Sequence, residues 1–120
     1  MALKRIILEM GTGNDLHGKD YTKAAVRAVE DALHHSSIVL FKSTGLDRDA
    51  MQIEVTIGVQ QPARINAEVV AATLPFGTVT VNAVIGGLDV PDPVQNNFIV
   101  IATAAIAVRY DIPESHIRGN

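Results

Sequence analysis

Apolar and polar residues alternate without a break from 51 to 59. Met51, Ile53, Val55, Ile57 and Val59 fall on one side, and Gln52, Glu54, Thr56 and Gly58 on the other. A period of two marks a strand with one buried face. The same period runs through 3–10, where Lys4, Ile6, Leu8 and Met10 oppose Arg5, Ile7 and Glu9, so a first strand is predicted there. The spacing changes at Tyr21. From there to His35 the residues Ala25, Val29, Ala32 and Leu33 form an apolar stripe, with Lys23, Arg27, Glu30 and His34 on another face. That is helical spacing. Asp20 stands at the N-cap position, where its short carboxylate can accept from the free amides of the first turn.

Pro62 suits the first turn of a second helix, predicted over 63–74, with Ile65, Val69 and Ala72 on its buried face and Pro75 and Gly77 ending it. Residues 78–85 form a further strand. Gly86-Gly87 permits a bend or bulge, and 89–93 is a loop that lacks two backbone donors at Pro91 and Pro93. A long strand follows over 97–110, apolar on both faces. Its alanines make a helix the rival reading, whereas Ile99-Val100-Ile101 and the charged Arg109 favour a strand. Residues 37–43 fit either a short buried strand or more helix, and 44–47 read as a turn.

This order of elements predicts a single α+β domain over 1–120, a two-layer sandwich with two main helices on one face of a mixed sheet. One face of the sheet then stays open. A strand apolar on both faces needs a cover, and a homo-oligomer joined through the sheet or its strand edges is expected. The alternative is a strand buried in the middle of the monomer.

Composition narrows the function. Hydrophobic residues make up 48% of the chain and aromatic residues only 4%, so the core must be Val, Ile, Leu and Ala. The net charge of −3 and the scattered basic residues argue against nucleic acid as a partner. Without cysteine there is no disulfide, thiolate metal site or thiol nucleophile. The longest apolar stretch, 98–108, is too short for a membrane-spanning helix, and 1–10 reads as a strand and not a signal peptide. A cytoplasmic location is expected.

The candidate chemistry lies in Gly11-Thr12-Gly13-Asn14-Asp15-Leu16-His17-Gly18, read as a loop between the first strand and the first helix. Glycines allow positive φ and close approach of backbone amides, and the helix N-terminus favours an anion. Asp15 and His17 are two residues apart and can share a ligand, with His17 as general acid or base oriented by Asp15. Gly11, Gly13 and Gly18 are the candidate ligand-binding glycines, with Glu9 beside them. Asp15 can equally cap a turn through backbone amides, and His17 can be a satisfied histidine. The pattern departs from the GxGxxG dinucleotide fingerprint and lacks the Lys-Ser or Lys-Thr of a P-loop. Asp15, His17, Asp20 and His34 have no tight metal-ligand spacing, so no metal site is assigned and the cofactor is left open. Lys42, Glu54, Asn82 and Asp89 could complete a site, but each also suits a solvated position.

The stretch EMGTGNDLHGKDYTKAAVRAVEDALHHSSI resembles the N-terminal signature of a conserved hypothetical family of bacteria and plants, the "Lin" family of unknown function. That family is defined by a GxGxDxHG motif, matched here by Gly11, Gly13, Asp15, His17 and Gly18. The resemblance implies a small sandwich of the tubulin/FtsZ C-terminal or chorismate-mutase kind, whose assemblies often hold sites between subunits. It implies no activity. Two readings follow: a small-molecule, possible-enzyme site for a small anionic or enolic ligand, or a self-assembling structural module whose motif clamps an interface.

Overall fold

The computed structural model describes residues 3–16, 19–34, 50–74, 77–94 and 96–111. His17, Gly18, the run 37–43, the turn 44–47 and Pro75 lie outside them. The elements are β1 (Leu3–Asp15), α1 (Tyr21–His34), β2 (Gln52–Val59), a 3-10 turn (Pro62–Arg64), α2 (Ala67–Ala71), β3 (Thr78–Ile85), β4 (Leu88–Asp92) and β5 (Asn97–Asp111). They build the expected α+β sandwich on a mixed five-stranded sheet in the order β1-β5-β2-β3, with β4 also paired to β5. Among the described residues only β2 and β3 run parallel; β1, β2 and β4 are all antiparallel to β5.

The helix-side layer follows from the alternation. Ile53 is 1% exposed, and Val55, Ile57, Val100, Ile106 and Val108 are wholly buried beneath α1 and α2. Burying each such side chain contributes roughly 1.5–3 kcal/mol. Asp20 caps α1 as expected: the Lys23 N–H donates to Asp20 Oδ1 at 3.0 Å. The buried stripe of α1 is wider than the sequence pattern suggested, adding Tyr21, Ala24 and Ala28 to Ala25, Val29 and Ala32.

Three predicted elements change. The helix expected over 63–74 is split into a 3-10 turn and a five-residue α2, because Asn66 Oδ1 accepts from the amides of Glu68 and Val69 and starts a new helix there. The loop expected at 89–93 is instead the strand β4. Its predecessor β3 runs beside β2, and the chain then shifts over at Gly86-Gly87 to pair with β5 beyond the end of β2. Gly87 has φ +58°, and a Cβ there would lie 2.1 Å from the Ile101 carbonyl oxygen, so this side-step needs glycine. The third change is the largest: β1 does not stop at Met10 but continues through the glycines to Asp15.

β5 lies between β1 on one side and β2 and β4 on the other, so it is central. Among the described residues its second face is nonetheless uncovered: Ile99, Ile101 and Ala105 are half-buried and Thr103 is exposed.

Candidate functional site

The extension of β1 changes the role of its glycines. Gly11 pairs with Ala104 and Gly13 with Ala102 in the ladder to β5. Neither has positive φ. On the helix side both meet α1 backbone directly: a Cβ on Gly13 would sit 2.3 Å from Ala28 N and 2.4 Å from Ala24 O, and one on Gly11 2.4 Å from Ala32 N. The alanines Ala24, Ala28 and Ala32 recur every four residues and lie on these two glycines, letting helix and strand approach without side chains between them. The space held open for a ligand in the sequence reading is filled by α1. Glu9 lies six strand residues before Asp15, roughly 20 Å away at about 3.3 Å per residue. Gly11, Gly13 and Glu9 are therefore strand positions, away from the turn.

Asp15 ends the strand on the helix side and is 4% exposed. Its Oδ2 accepts from the Asp20 N–H at 2.9 Å, and its Oδ1 lies 3.7 Å from Arg27 Nη1. Arg27 also donates to the Asn14 carbonyl at 2.6 Å. The carboxylate thus ties the turn to the start of α1, with the positive helix end favouring its charge.

A second carboxylate, Asp89, lies across β5 from Asp15. Val100 pairs with Asp15 on one side and with Asp89 on the other, so the three form one row beneath the first turn of α1. With strands about 4.8 Å apart, the two aspartates straddle Val100 at roughly 10 Å. Asp89 Oδ2 accepts from the Tyr21 hydroxyl at 2.6 Å, and Gln61 Nε2 donates to the same hydroxyl oxygen at 2.9 Å. Burial, then the hydrogen bond to Asp89 and its charge, push the Tyr21 hydroxyl up to about 12. The Arg64 guanidinium stacks 5.1 Å over the Tyr21 ring and the Lys19 ammonium 5.2 Å over Phe98, whose ring centre is 6.5 Å from that of Tyr21. Asp89 Oδ1 is buried and has no hydrogen-bond partner among the described residues. A buried acceptor left without a donor is costly and calls for an explanation.

Tyr21, Gln61 and Arg64 were not singled out from sequence. Asp89 was only one of several polar residues that could complete a site, because nothing in local spacing announces a contact across 68 residues. Among the described residues, no three His, Asp or Glu gather closely enough to hold a metal ion, and no helix is long and apolar enough to cross a membrane.

The profile of a family of conserved hypothetical proteins, Lin0512, matches residues 5–108. The chain belongs to this family. Solved structures similar to it include the crystal structure of an FtsZ-like protein of unknown function from Nostoc punctiforme PCC 73102. That protein is 38% identical, with a TM-score of 0.78 over 93% of this chain and 99% of its own. No curated protein matches the chain. The solved structure shares this chain's fold, and the descriptions of family and neighbour name no activity.

Proposed function

We propose that this member of the Lin0512 family binds a small molecule at the corner where β1 turns into α1. The observation that carries the reading is the buried Asp89 Oδ1 beneath the helix N-terminus, which has no partner among the described residues. It asks for an N–H or O–H donor from a ligand. Arg64 and Lys19, held over the neighbouring aromatic rings, offer cations to an anionic group on the same molecule. A hydroxy acid or an enol with a carboxylate or phosphate carries both features.

Asp15 borders this corner through Asp20, whose N–H its carboxylate accepts just before Tyr21, and His17 follows it by two residues in the sequence. In this reading Asp15 fixes the turn, and His17 is the group able to move a proton near neutral pH. The rival reading, a motif that clamps a neighbouring subunit, draws no support from Asp15, whose carboxylate is turned into its own chain.

The test is a thermal-shift panel of small hydroxy acids, amino acids and phosphorylated acids, run on wild type, Asp89→Asn and His17→Ala. A compound that stabilises wild type by several degrees should lose at least about tenfold in affinity, roughly 1.4 kcal/mol, in Asp89→Asn. If every compound that shifts wild type shifts Asp89→Asn equally, the corner is not the binding site.

A further inference from the structure

The face of the sheet away from the helices has a definite relief. On β1, Leu8 and Met10 stand up as a ridge, 45% and 70% exposed. Beside them the surface drops. Met10 pairs with Ala105 and Ala105 with Thr56; Thr12 pairs with Thr103 and Thr103 with Gly58. These small residues form the floor of an open groove of about 480 Å³, closed on the far side by Val84 and Ile85 of β3. Gly58 cannot be enlarged without cost, since a Cβ there would lie 2.6 Å from Thr103 Oγ1.

The apolar surface is wider than the groove. It continues along Ile101 and Leu88, a cross-strand pair, and along Ile99 and Val90. Leu88 is 57% exposed. At the opposite end Arg109 Nη1 donates to Glu54 Oε1 at 3.4 Å, so the two charges there answer each other. An apolar centre with a polar border is the anatomy of a protein interface. At about 4.8 Å between strands and 3.3 Å per residue, this side of the sheet spans on the order of 700 Å². A stable complex covers roughly 800 Å² on each partner. A small molecule in the groove would leave Ile99, Ile101, Leu88 and Leu8 exposed.

We propose that a second copy of this chain packs face to face on the uncovered side of the sheet, the Leu8–Met10 ridge of each copy seated in the Gly58–Thr103–Ala105 groove of the other. The relief is self-complementary, as a two-fold interface requires: the same chain presents the ridge and the hollow that receives it. Sheets packed this way interleave side chains from their two inner faces. The inference stands apart from the ligand site, which lies under the helices on the other side of the sheet.

The absence of cysteine makes the test clean. Two single variants, Met10→Cys and Thr103→Cys, are prepared separately with different isotope labels, mixed, and treated with a short thiol crosslinker. Mass spectrometry should find the mixed Met10–Thr103 pair at several times the yield of a urea-denatured control. Light scattering should find an even-numbered oligomer for wild type. In Met10→Glu the buried charge should raise the dissociation constant by on the order of 100-fold. Should Met10→Glu fail to fold by circular dichroism, the crosslinking pair decides alone.

A wild type that stays monomeric at tens of micromolar overturns the proposal. So does an oligomer without the mixed crosslink, which would place the contact on strand edges. An apolar small molecule copurifying with a monomeric chain would give the groove another occupant and overturn it as well.

Discussion

On the helix side of the sheet, Val55 and Ile57 are wholly buried and Gly11 and Gly13 press against helix backbone. On the other side of the same strands, Met10 is 70% exposed and Thr56, Thr103 and Ala105 line an open groove. Both sides arise from one period of two, yet their glycines act differently. Gly11 and Gly13 remove side chains so that a helix can settle onto the strand. Gly58 removes one in the floor of a hollow that none of the described residues fills. The first side is packed within the chain, and the second is the side on which we propose that a second copy sits.

Three substitutions probe that contrast. Gly13→Val should have the largest effect, because its Cβ would overlap Ala28 N and Ala24 O, and backbone cannot swing away as a side chain can. A loss of about 4 kcal/mol or more is expected, enough to leave little folded protein. Urea unfolding by circular dichroism would read it. A loss below about 1 kcal/mol would mean that α1 does not press on β1 as described.

Tyr21→Phe should have a middling effect, removing the donor to Asp89 and leaving both carboxylate oxygens without one, at about 1–3 kcal/mol. It should also alter the alkaline limb of stability. The folded chain holds the Tyr21 hydroxyl at about 12 against an ordinary value of 10.0, so folding favours the protonated form. That stabilisation is fully present below pH 10 and is lost as pH rises towards 12. Urea titrations at pH 8 and pH 11.5 should differ less in Tyr21→Phe than in wild type. Equal differences would show that the phenol does not govern that window.

Met10→Ala should have the smallest effect on the fold itself. At dilutions where the chain is monomeric, its unfolding free energy should change by no more than about 0.5 kcal/mol, as for other exposed positions. A larger loss in the monomer would mean that the open face is already packed within one chain.

Much of the architecture was legible because hydrophobic period is a local signal. β2, β3, β5 and α1 match the predicted elements within a residue at each end. The course of 11–15 was hidden, since glycine carries no side chain to show which way it faces. The strand there is enforced by Ala24, Ala28 and Ala32, whose close approach only the folded chain reveals. β4 was masked by Pro91 and Pro93, which suit a loop; the sheet accommodates Pro91 opposite Phe98 of β5, and Pro93 follows the end of the strand. At the candidate site, Asp15 and its turn could be picked out from the motif, and Asp20 as a cap from its position. Asp89, Tyr21 and the pair Gln61 and Arg64 come from three separate stretches and meet only after the sheet is assembled.

The sequence by itself determined the alternating strands, the first helix and its cap, and the membership of the Lin0512 family. Those features depend on neighbours a few residues away. Tertiary structure decided what the glycines are for, which carboxylates share the helix N-terminus and which face of the sheet is left uncovered. Each of those depends on where distant segments meet, and periodicity along a chain carries no record of that.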